Sequence, residues 1–353
     1  GSLLPAFVLI PIFGSRDAFL ALAIALLLPS SLALLATGAT ARSAVAAGIA
    51  VALIAFPFIS DRGLIRPPDS PGAEVIAERE TPYNYIQVVQ QGPETMLVLN
   101  DGHAVHSIYN PTADVTRGPW QYFLVGKYFV PNTTPEDIDS LLMIGLAAGT
   151  VSKQFTDVYG PIPIDGVEID GGIVDVAREH FEMNEPNLDV YVEDGRYFLE
   201  RTANEYDVVS IDAYRQPYIP FHLTTRQFFE SVEEHMTADG AAIVNAGRTH
   251  TDFRLVEVIA ATMDAVFDSV YLIDVEGYSN TMVVGINGPS SVEDFRDNVS
   301  EFEQGTLLGQ VARSSLTSGN VREWEGDGQV FTDDHAPVEL VVDQIILEEA
   351  QAR

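Results

Sequence analysis

The chain has 353 residues, no cysteine and a formal net charge of −32, from 51 acidic and 19 basic residues. The absence of thiols excludes disulfides, thiolate metal sites and a cysteine nucleophile. The negative charge argues against nucleic-acid binding, because phosphates would be repelled. Only Lys127 and Lys153 are lysines. Because molar salt shortens the Debye length to about 3 Å, this composition predicts a halophilic protein of a high-salt cytoplasm.

The first 66 residues are more apolar than the rest of the chain. Residues 18–36 and 43–59 contain almost only apolar side chains, and each run is long enough to cross about 30 Å of hydrocarbon. Residues 3–13 resemble the end of a further span. Residues 1–66 are therefore predicted to be transmembrane helices at the end of a larger, multi-pass membrane region. Buried helices of a soluble protein are the alternative.

The arginines beside these runs predict a topology. If both runs cross, Arg16, Arg62 and Arg66 lie on one side of the membrane and Arg42 on the other. The positive-inside rule then places the soluble part in the cytoplasm, with the chain anchored in the cell membrane. Residues 67–77 contain three prolines and a glycine, which is typical of a linker.

The next segment has the alternating pattern of β-strands. Residues 83–89 and 95–99 alternate between apolar and polar side chains, and a turn at Asn100-Asp101-Gly102 follows. An Asp-Gly pair between apolar strands indicates a hairpin. Residues 78–125 are therefore predicted to form a small antiparallel β domain.

From residue 126 onward, short apolar strands alternate with helices, which predicts an α/β domain with a doubly wound parallel sheet. Residues 269–274 and 281–284 predict a terminal antiparallel pair. This Rossmann-like domain is expected to cover residues 126–290, followed by a C-terminal extension over 291–353. The predicted parallel strands are residues 140–144, 166–169, 188–192, 206–211 and 241–245.

The ends of these strands carry the candidate site residues, because ligands bind beyond the carboxyl ends of an open α/β sheet. The first strand ends in a turn from Gly145 to Gly149, which is either structural or a cofactor loop. Glu168 follows Gly149 by 19 residues, the spacing of an acid that binds ribose hydroxyls, although a solvated acid is the alternative. Asp194 is predicted to contact adenine, to cap a helix, or both. Asp212 is predicted to deprotonate an amine or hold a cation, against a purely structural role.

Several of these segments together resemble the spermidine synthases, the polyamine aminopropyltransferases. Residues 80–88 are similar to their E-S-x-Y-Q-x-I-x-V opening, and residues 97–102 to their L-x-L-D-G hairpin. Residues 167–170, 194–195 and Asp212 match the family's ribose acid, adenine-side acid and catalytic acid. The resemblance covers about residues 78–290.

This resemblance implies a Rossmann domain like that of the class I S-adenosylmethionine-dependent methyltransferases. The co-substrate would be decarboxylated S-adenosylmethionine or S-adenosylmethionine, and the acceptor would be a small-molecule amine. No metal is expected, and a homodimer is a possible assembly. Asp212 would be catalytic, and Asn84 and Tyr214 would bind the amine. The co-substrate would be bound by Gly145, Gly149, Glu168, Asp194, Gly195 and Tyr83.

Two further segments, residues 219–229 and 331–339, resemble a narrower branch of membrane-fused spermidine-synthase-like proteins. That branch has a multi-span N-terminal region, which would explain a partial first span. The chain is therefore expected to be a fragment of a longer protein.

The sequence departs from the family's pattern in the half of the site that binds amines. Ala148 stands where the family has an acid for the aminopropyl amine, Arg215 where it has a second acid for the diamine, and Asn84 where it has glutamine. A cation beside an ammonium substrate is repulsive. Two alternatives therefore stand beside aminopropyl transfer: an S-adenosylmethionine-dependent methyltransferase, and a non-catalytic nucleoside-sensing domain that regulates a membrane transporter.

The remaining candidates have structural explanations. His103 and His106 would point to opposite faces of a strand, which argues against a metal site. Thr224 with Gln227 fits a capping box. Tyr83 either covers the nucleoside or packs within its strand. Asp333 and Asp334 either line the site or belong to a solvated tail, and the tail is favoured.

Overall fold

The structure is a computed structural model, which describes residues 9–59, 64–68, 70–100, 104–114, 117–215, 217–317 and 319–352. The predicted turn at Asp101 and Gly102, His103, Arg62 and the start of the segment 3–13 lie outside the described residues. The chain divides into two compact units, residues 1–92 with 97–105 and residues 93–96 with 106–353.

The first unit begins with two apolar helices, α1 (Ile10–Ala36) and α2 (Thr40–Ile59). Gly14 interrupts α1 with a φ of 77°, and the helix from Gly14 to Ala36 has a mean hydropathy of 2.4. Among the described residues it is the one helix long and apolar enough to cross a membrane. The corresponding stretch of α2, Thr40–Leu53, is shorter, so the predicted second span is helical but does not support a multi-pass chain.

An antiparallel sheet follows along the chain, as the alternating pattern predicts. β1 (Glu74–Glu80) pairs antiparallel with β2 (Tyr85–Gln91), with a bulge between Val75 and Ala77. β3 (Glu94–Leu99) lies beside β2, and the turn between them contains Gly92 with a φ of 60°. β4 spans Val105–Tyr109. The predicted small antiparallel β structure is therefore confirmed.

The second unit contains a mixed sheet of order β12-β10-β11-β9-β8-β5-β6-β7. Strands β5 to β9 pair in parallel, and β11 is antiparallel to both β9 and β10. Its strands are β5 (Leu141–Ile144), β6 (Ile164–Val167), β7 (Leu188–Tyr191), β8 (Tyr206–Ile211), β9 (Met236–Gly247), β10 (Ser269–Asp274), β11 (Asn280–Ile286) and β12 (Val321–Glu323). Its α-helices are α3 (Thr150–Tyr159), α4 (Gly171–His180), α5 (Gly195–Leu199), α6 (Arg226–Glu233), α7 (Arg254–Asp264), α8 (Val292–Ser300), α9 (Leu307–Ser315) and α10 (Val338–Ala352).

This strand order confirms the predicted methyltransferase-like Rossmann fold and locates its crevice. The chain runs outward from β5 to β6 and β7, then returns to β8 on the other side of β5. Such a reversal of direction opens a crevice at the carboxyl ends of the two central strands. The sequence did not predict β12, because three residues give no readable periodicity.

The central strands of the sheet are buried on both faces, as parallel strands with helical crossovers require. Every residue of β5 and β8 is buried, and the 3₁₀ helix Trp120–Phe129 is buried at all ten positions. Within that helix, Lys127 is 2% exposed and its Nζ lies 2.8 Å from Asp207 Oδ1 on β8. The ion pair and the hydrogen bond from Ser140 Oγ satisfy the Asp207 carboxylate inside the fold.

Candidate functional site

The turn after β5 brings backbone close to the next strand end. The Gly145 and Leu146 amides both donate to the Val167 carbonyl, at 2.9 and 3.1 Å. Gly145 has a φ of +86°, and a Cβ added there would lie 2.6 Å from the Asp212 carbonyl oxygen. Only glycine fits this position, because both the backbone conformation and the space exclude a side chain. Gly149, with a φ of +82°, then caps α3.

Glu168 follows β6 and binds this turn directly. Its Oε2 accepts the Ala147 amide at 2.9 Å, and its Oε1 accepts the Asp170 amide at 3.0 Å. The residue is 7% exposed, and burial raises the pKa of its carboxyl to about 7. Each carboxylate oxygen can accept a second hydrogen bond. Glu168 can therefore hold the turn and still accept two hydroxyl groups of a ligand.

Asp194 follows β7 and caps α5, one of the two roles that the sequence left open. Its Oδ1 accepts the Arg196 and Tyr197 amides at 3.0 and 3.1 Å. Its Oδ2 lies 2.8 Å from His222 Nε2, a contact that holds the pKa of the Asp194 carboxyl below its usual range. A Cβ added to Gly195 would lie 2.3 Å from Ile144 Cγ2, so glycine is required for this close packing.

Asp212 follows β8. In the sheet, β5 and its glycine turn lie between β8 and β6, the strand that Glu168 follows. Its amide donates to the Ile144 carbonyl at 2.9 Å, and its Oδ1 accepts a hydrogen bond from Asn245 Nδ2 at 2.9 Å. Burial raises the pKa of the carboxyl to about 7, while hydrogen bonds from Asn245 and Trp120 oppose that rise. A carboxyl with a pKa raised in this way has the property that a general base requires.

A network of polar side chains fixes the orientation of Asp212. Asn280 Nδ2 donates to Asn245 Oδ1 at 2.9 Å, so Asn245 must turn its amide nitrogen toward Asp212. The Tyr214 hydroxyl donates to the Asn245 carbonyl at 2.8 Å and accepts the Gly247 amide at 2.9 Å. Tyr214, which the sequence assigned to the amine, therefore has its hydroxyl already engaged by backbone groups.

The acids at the strand ends share one edge of the sheet. In the order β7, β6, β5, β8 this edge carries Asp194, Glu168, the glycine turn and Asp212. Apolar side chains are exposed beside them: Ile169 is 41% exposed, Val192 55% and Tyr197 51%. Exposed apolar groups beside convergent polar groups are typical of a ligand site.

The other residues that the sequence analysis discussed lie outside this row of acids. Ala148 is 3% exposed, and its amide donates to Ser107 Oγ at 2.9 Å. Arg215 is exposed. Tyr83 and Asn84 belong to the first unit, where Tyr83 is 51% exposed and Asn84 Oδ1 accepts a hydrogen bond from Asn100 Nδ2. Within the ranges that the structure describes, His, Asp and Glu form no metal-binding group.

Two structural expectations from the sequence are wrong. Thr225, not Thr224, caps α6, because its Oγ1 accepts the Phe228 amide at 3.3 Å. Gln227 Oε1 instead accepts the Asp333 amide. Asp333 is not in a free tail, since its carboxylate forms an ion pair with Arg196.

Sequence reasoning also missed Trp120, His222, Asn245 and Asn280. A signal existed for Asn245, which ends the strand predicted over 241–245 and so obeys the same strand-end rule as the three acids. The other three come from segments outside the parallel strands, and their contacts depend on the tertiary fold.

Removing the Asn245 amide is expected to raise the pKa of Asp212 further, because that hydrogen bond favours the charged carboxylate. In Asn245→Ala, the midpoint of the rise of kcat/KM with pH should move upward from its value near 7, and transfer at pH 7 should fall about tenfold. Asn280→Ala should shift the midpoint in the same direction by less. An unchanged pH profile in Asn245→Ala would contradict this role.

The sheet order defines a Rossmann domain of the methyltransferase-like type, with a row of acids at its strand ends. Residues 130–288 match the family model of the spermine/spermidine synthase domain. This matched region contains the parallel strands and the strand-end acids.

Individual relatives are similar to this chain in sequence. A probable polyamine aminopropyl transferase of Bifidobacterium longum is 28% identical over 302 residues, covering 77% of this chain and 64% of the relative. The chain thus spans 64% of the length of that protein. A polyamine aminopropyltransferase of Vibrio vulnificus is 25% identical over 227 residues, covering 62% of this chain and 73% of the relative.

A solved structure shares the fold. The crystal structure of a probable spermidine synthase from Corynebacterium glutamicum has a TM-score of 0.58 and 19% sequence identity. The match covers 74% of this chain and 97% of that protein.

Proposed function

We propose that this protein is a spermidine-synthase-like transferase that binds decarboxylated S-adenosylmethionine and transfers its aminopropyl group to an amine. One observation carries the proposal: four successive strand ends present Asp194, Glu168, a glycine turn and Asp212 along one edge of the sheet. The spermine/spermidine synthase match over residues 130–288 and the names of the relatives support the same activity.

In this proposal the nucleoside lies across the ends of β5, β6 and β7. Glu168 would accept the two ribose hydroxyls with the lone pairs that the Ala147 and Asp170 amides leave free. Asp194 would accept a hydrogen bond from the adenine amino group. Exposed Ile169 and Val192 would cover the purine ring with apolar surface. Gly145 and Gly149 would let the co-substrate approach the backbone.

Asp212 would activate the acceptor amine. A protonated alkyl amine has an ordinary pKa of about 10.4 and is not a nucleophile in that form. With a pKa of about 7, the Asp212 carboxylate can take one proton from the alkylammonium group, which frees the nitrogen lone pair for the attack. The new bond joins the amine nitrogen to the carbon next to the sulfonium, the carbon–sulfur bond breaks, and the thioether leaves as a neutral group. Alignment of these atoms supplies most of the remaining rate enhancement.

The amine half of the site favours one competing reaction, methyl transfer from intact S-adenosylmethionine. Ala148 is buried where the family's pattern has a carboxylate for the aminopropyl amine, and its amide binds Ser107 instead. Without that acid, a co-substrate that retains its own carboxylate meets no like charge there. Arg215 in place of the second acid also disfavours a dicationic acceptor.

Calorimetry of the full chain in detergent and molar salt tests this choice. Aminopropyl transfer predicts that decarboxylated S-adenosylmethionine binds at least about tenfold more tightly than S-adenosylmethionine, a difference of about 1.4 kcal/mol. The reverse preference, with a methylated product, would replace aminopropyl transfer by methyl transfer. Tight binding without turnover over a panel of amines would instead identify a nucleoside sensor.

The proposal extends to the location of the protein in the cell and to the salt concentration around it. The helix from Gly14 to Ala36 would anchor the protein in the cell membrane as part of a multi-pass region of the membrane-fused branch, with residues 126–290 in the cytoplasm. The net charge of −32 and the presence of only two lysines favour a high-salt cytoplasm.

A further inference from the structure

Two segments without a role in transfer meet beside Asp194. They are residues 219–229 and 331–339, and both contact Arg196 on α5. The Asp333 carboxylate accepts two hydrogen bonds from the Arg196 guanidinium, at 2.8 and 2.7 Å. Thr225 Oγ1 donates to the same carboxylate at 2.7 Å. Arg196 holds the pKa of Asp333 at about 2, so the pair is charged at any physiological pH.

The segment that carries Asp333 is built into the domain. The Phe331 side chain is fully buried, and its amide donates to Thr262 Oγ1 at 3.0 Å. The Phe331 carbonyl accepts the Arg226 amide at 2.8 Å, and Gln227 Oε1 accepts the Asp333 amide at 3.1 Å. Both ends of the Asp333–Arg196 ion pair therefore have a fixed position.

From Arg196 the contacts continue to the carboxylate of Asp194. Arg196 Nη1 donates to the His222 carbonyl at 3.3 Å, and His222 Nε2 lies 2.8 Å from Asp194 Oδ2. Since Oδ1 already accepts the Arg196 and Tyr197 amides, three of the four acceptor positions of Asp194 are occupied when His222 donates from Nε2. One acceptor position remains, on Oδ2.

A single open acceptor position suits one N–H of an amino group. A 6-oxo group in its place would put an oxygen against the carboxylate, which leaves both without a donor and is strongly disfavoured. We propose that His222, held by Arg196 and Asp333, is a positioning residue that directs Asp194 Oδ2 at the purine 6-amino group. It would thereby determine selectivity for adenine over hypoxanthine. This inference rests on the proposed nucleoside site.

The test compares binding of methylthioadenosine and methylthioinosine by calorimetry of the full chain in detergent and molar salt. The two compounds differ in the 6-substituent and in the N1 proton that accompanies the 6-oxo group. The wild type is expected to prefer the 6-amino compound about 100-fold, and His222→Ala to reduce that ratio about tenfold. His222→Gln keeps an N–H donor and should restore most of the selectivity. Asp333→Asn should lower the ratio about threefold, while Asp334→Asn, the same change at the exposed neighbouring residue, should leave it unchanged.

Equal weakening of both ligands in His222→Ala, with the ratio preserved, would overturn the inference and leave the proposed function intact. An Asp334→Asn effect as large as that of Asp333→Asn would also overturn it, since the segment would then act through net charge. A folded wild type that binds neither compound would refute the nucleoside site itself. Thermal unfolding of each variant separates loss of selectivity from loss of fold.

Discussion

Replacing Asp212 by asparagine is expected to lower kcat for group transfer by about 10² to 10⁴-fold, the range of general-base contributions. Asparagine keeps the shape of the side chain and its acceptor oxygen for Asn245, but it cannot take the proton of the attacking amine. Rapid-quench measurement of the thioether product, at saturating nucleoside and amine, gives this rate. The dissociation constant of methylthioadenosine should change by less than about threefold, because the nucleoside contacts of the proposal do not involve Asp212.

A matched control is available at another strand end of the same sheet. Asp274 ends β10 and is paired with Arg322 at 2.7 Å. Asp274→Asn removes the same charge away from the proposed reacting atoms, and its kcat should stay within about threefold of wild type. If Asp212→Asn and Asp274→Asn had equal kcat values, Asp212 would be excluded as the general base and would have a structural role only.

Glu168→Gln is expected to weaken nucleoside binding about 100-fold. Each hydrogen bond to a charged acceptor contributes about 1.5–3 kcal/mol, and the proposal gives Glu168 two ribose hydroxyls. The amide nitrogen of glutamine would also face the Ala147 or the Asp170 amide, so one of these donors would lose its acceptor. Equilibrium binding of methylthioadenosine measures the loss.

Deoxyribose analogues supply the control for this change. The wild type should bind the 2′-deoxy compound about tenfold less tightly than the ribose compound, whereas Glu168→Gln should barely distinguish them. Binding to the wild type should also strengthen as pH rises through about 7, because the Glu168 carboxyl ionises there and hydroxyl donors favour the carboxylate. A variant that still distinguished the two sugars would exclude Glu168 from the ribose contact.

The sequence was informative where a local rule governs structure. Short apolar strands alternating with helices predicted the Rossmann sheet, and its strand order follows from the usual doubly wound connections. The carboxyl ends of parallel strands share an edge, so Glu168, Asp194 and Asp212 could be expected on one side of the sheet from their positions alone. Their roles toward a ligand remain predictions.

The sequence was uninformative where contacts join distant segments. Arg196 and Asp333 are separated by 137 residues, and Asp194 and His222 by 28. No periodicity relates such pairs, since the packing of α5, α6 and the C-terminal segment determines which side chains meet. The one-residue error in the cap of α6 has a simpler origin, because Thr224 and Thr225 are equally good capping residues by type.

The register of the antiparallel strand β11 restricts the length of the loop that precedes it. Its Asn280 opposes Gly247 and Met282 opposes Asn245, and this register alone lets Asn280 reach the Asn245 amide that orients Asp212. A slip of one residue would turn Asn280 to the opposite face of the sheet. An insertion or a deletion in the loop 275–279, between β10 and β11, would therefore risk a shift of this register. An insertion there could leave a folded domain whose base is no longer held in place.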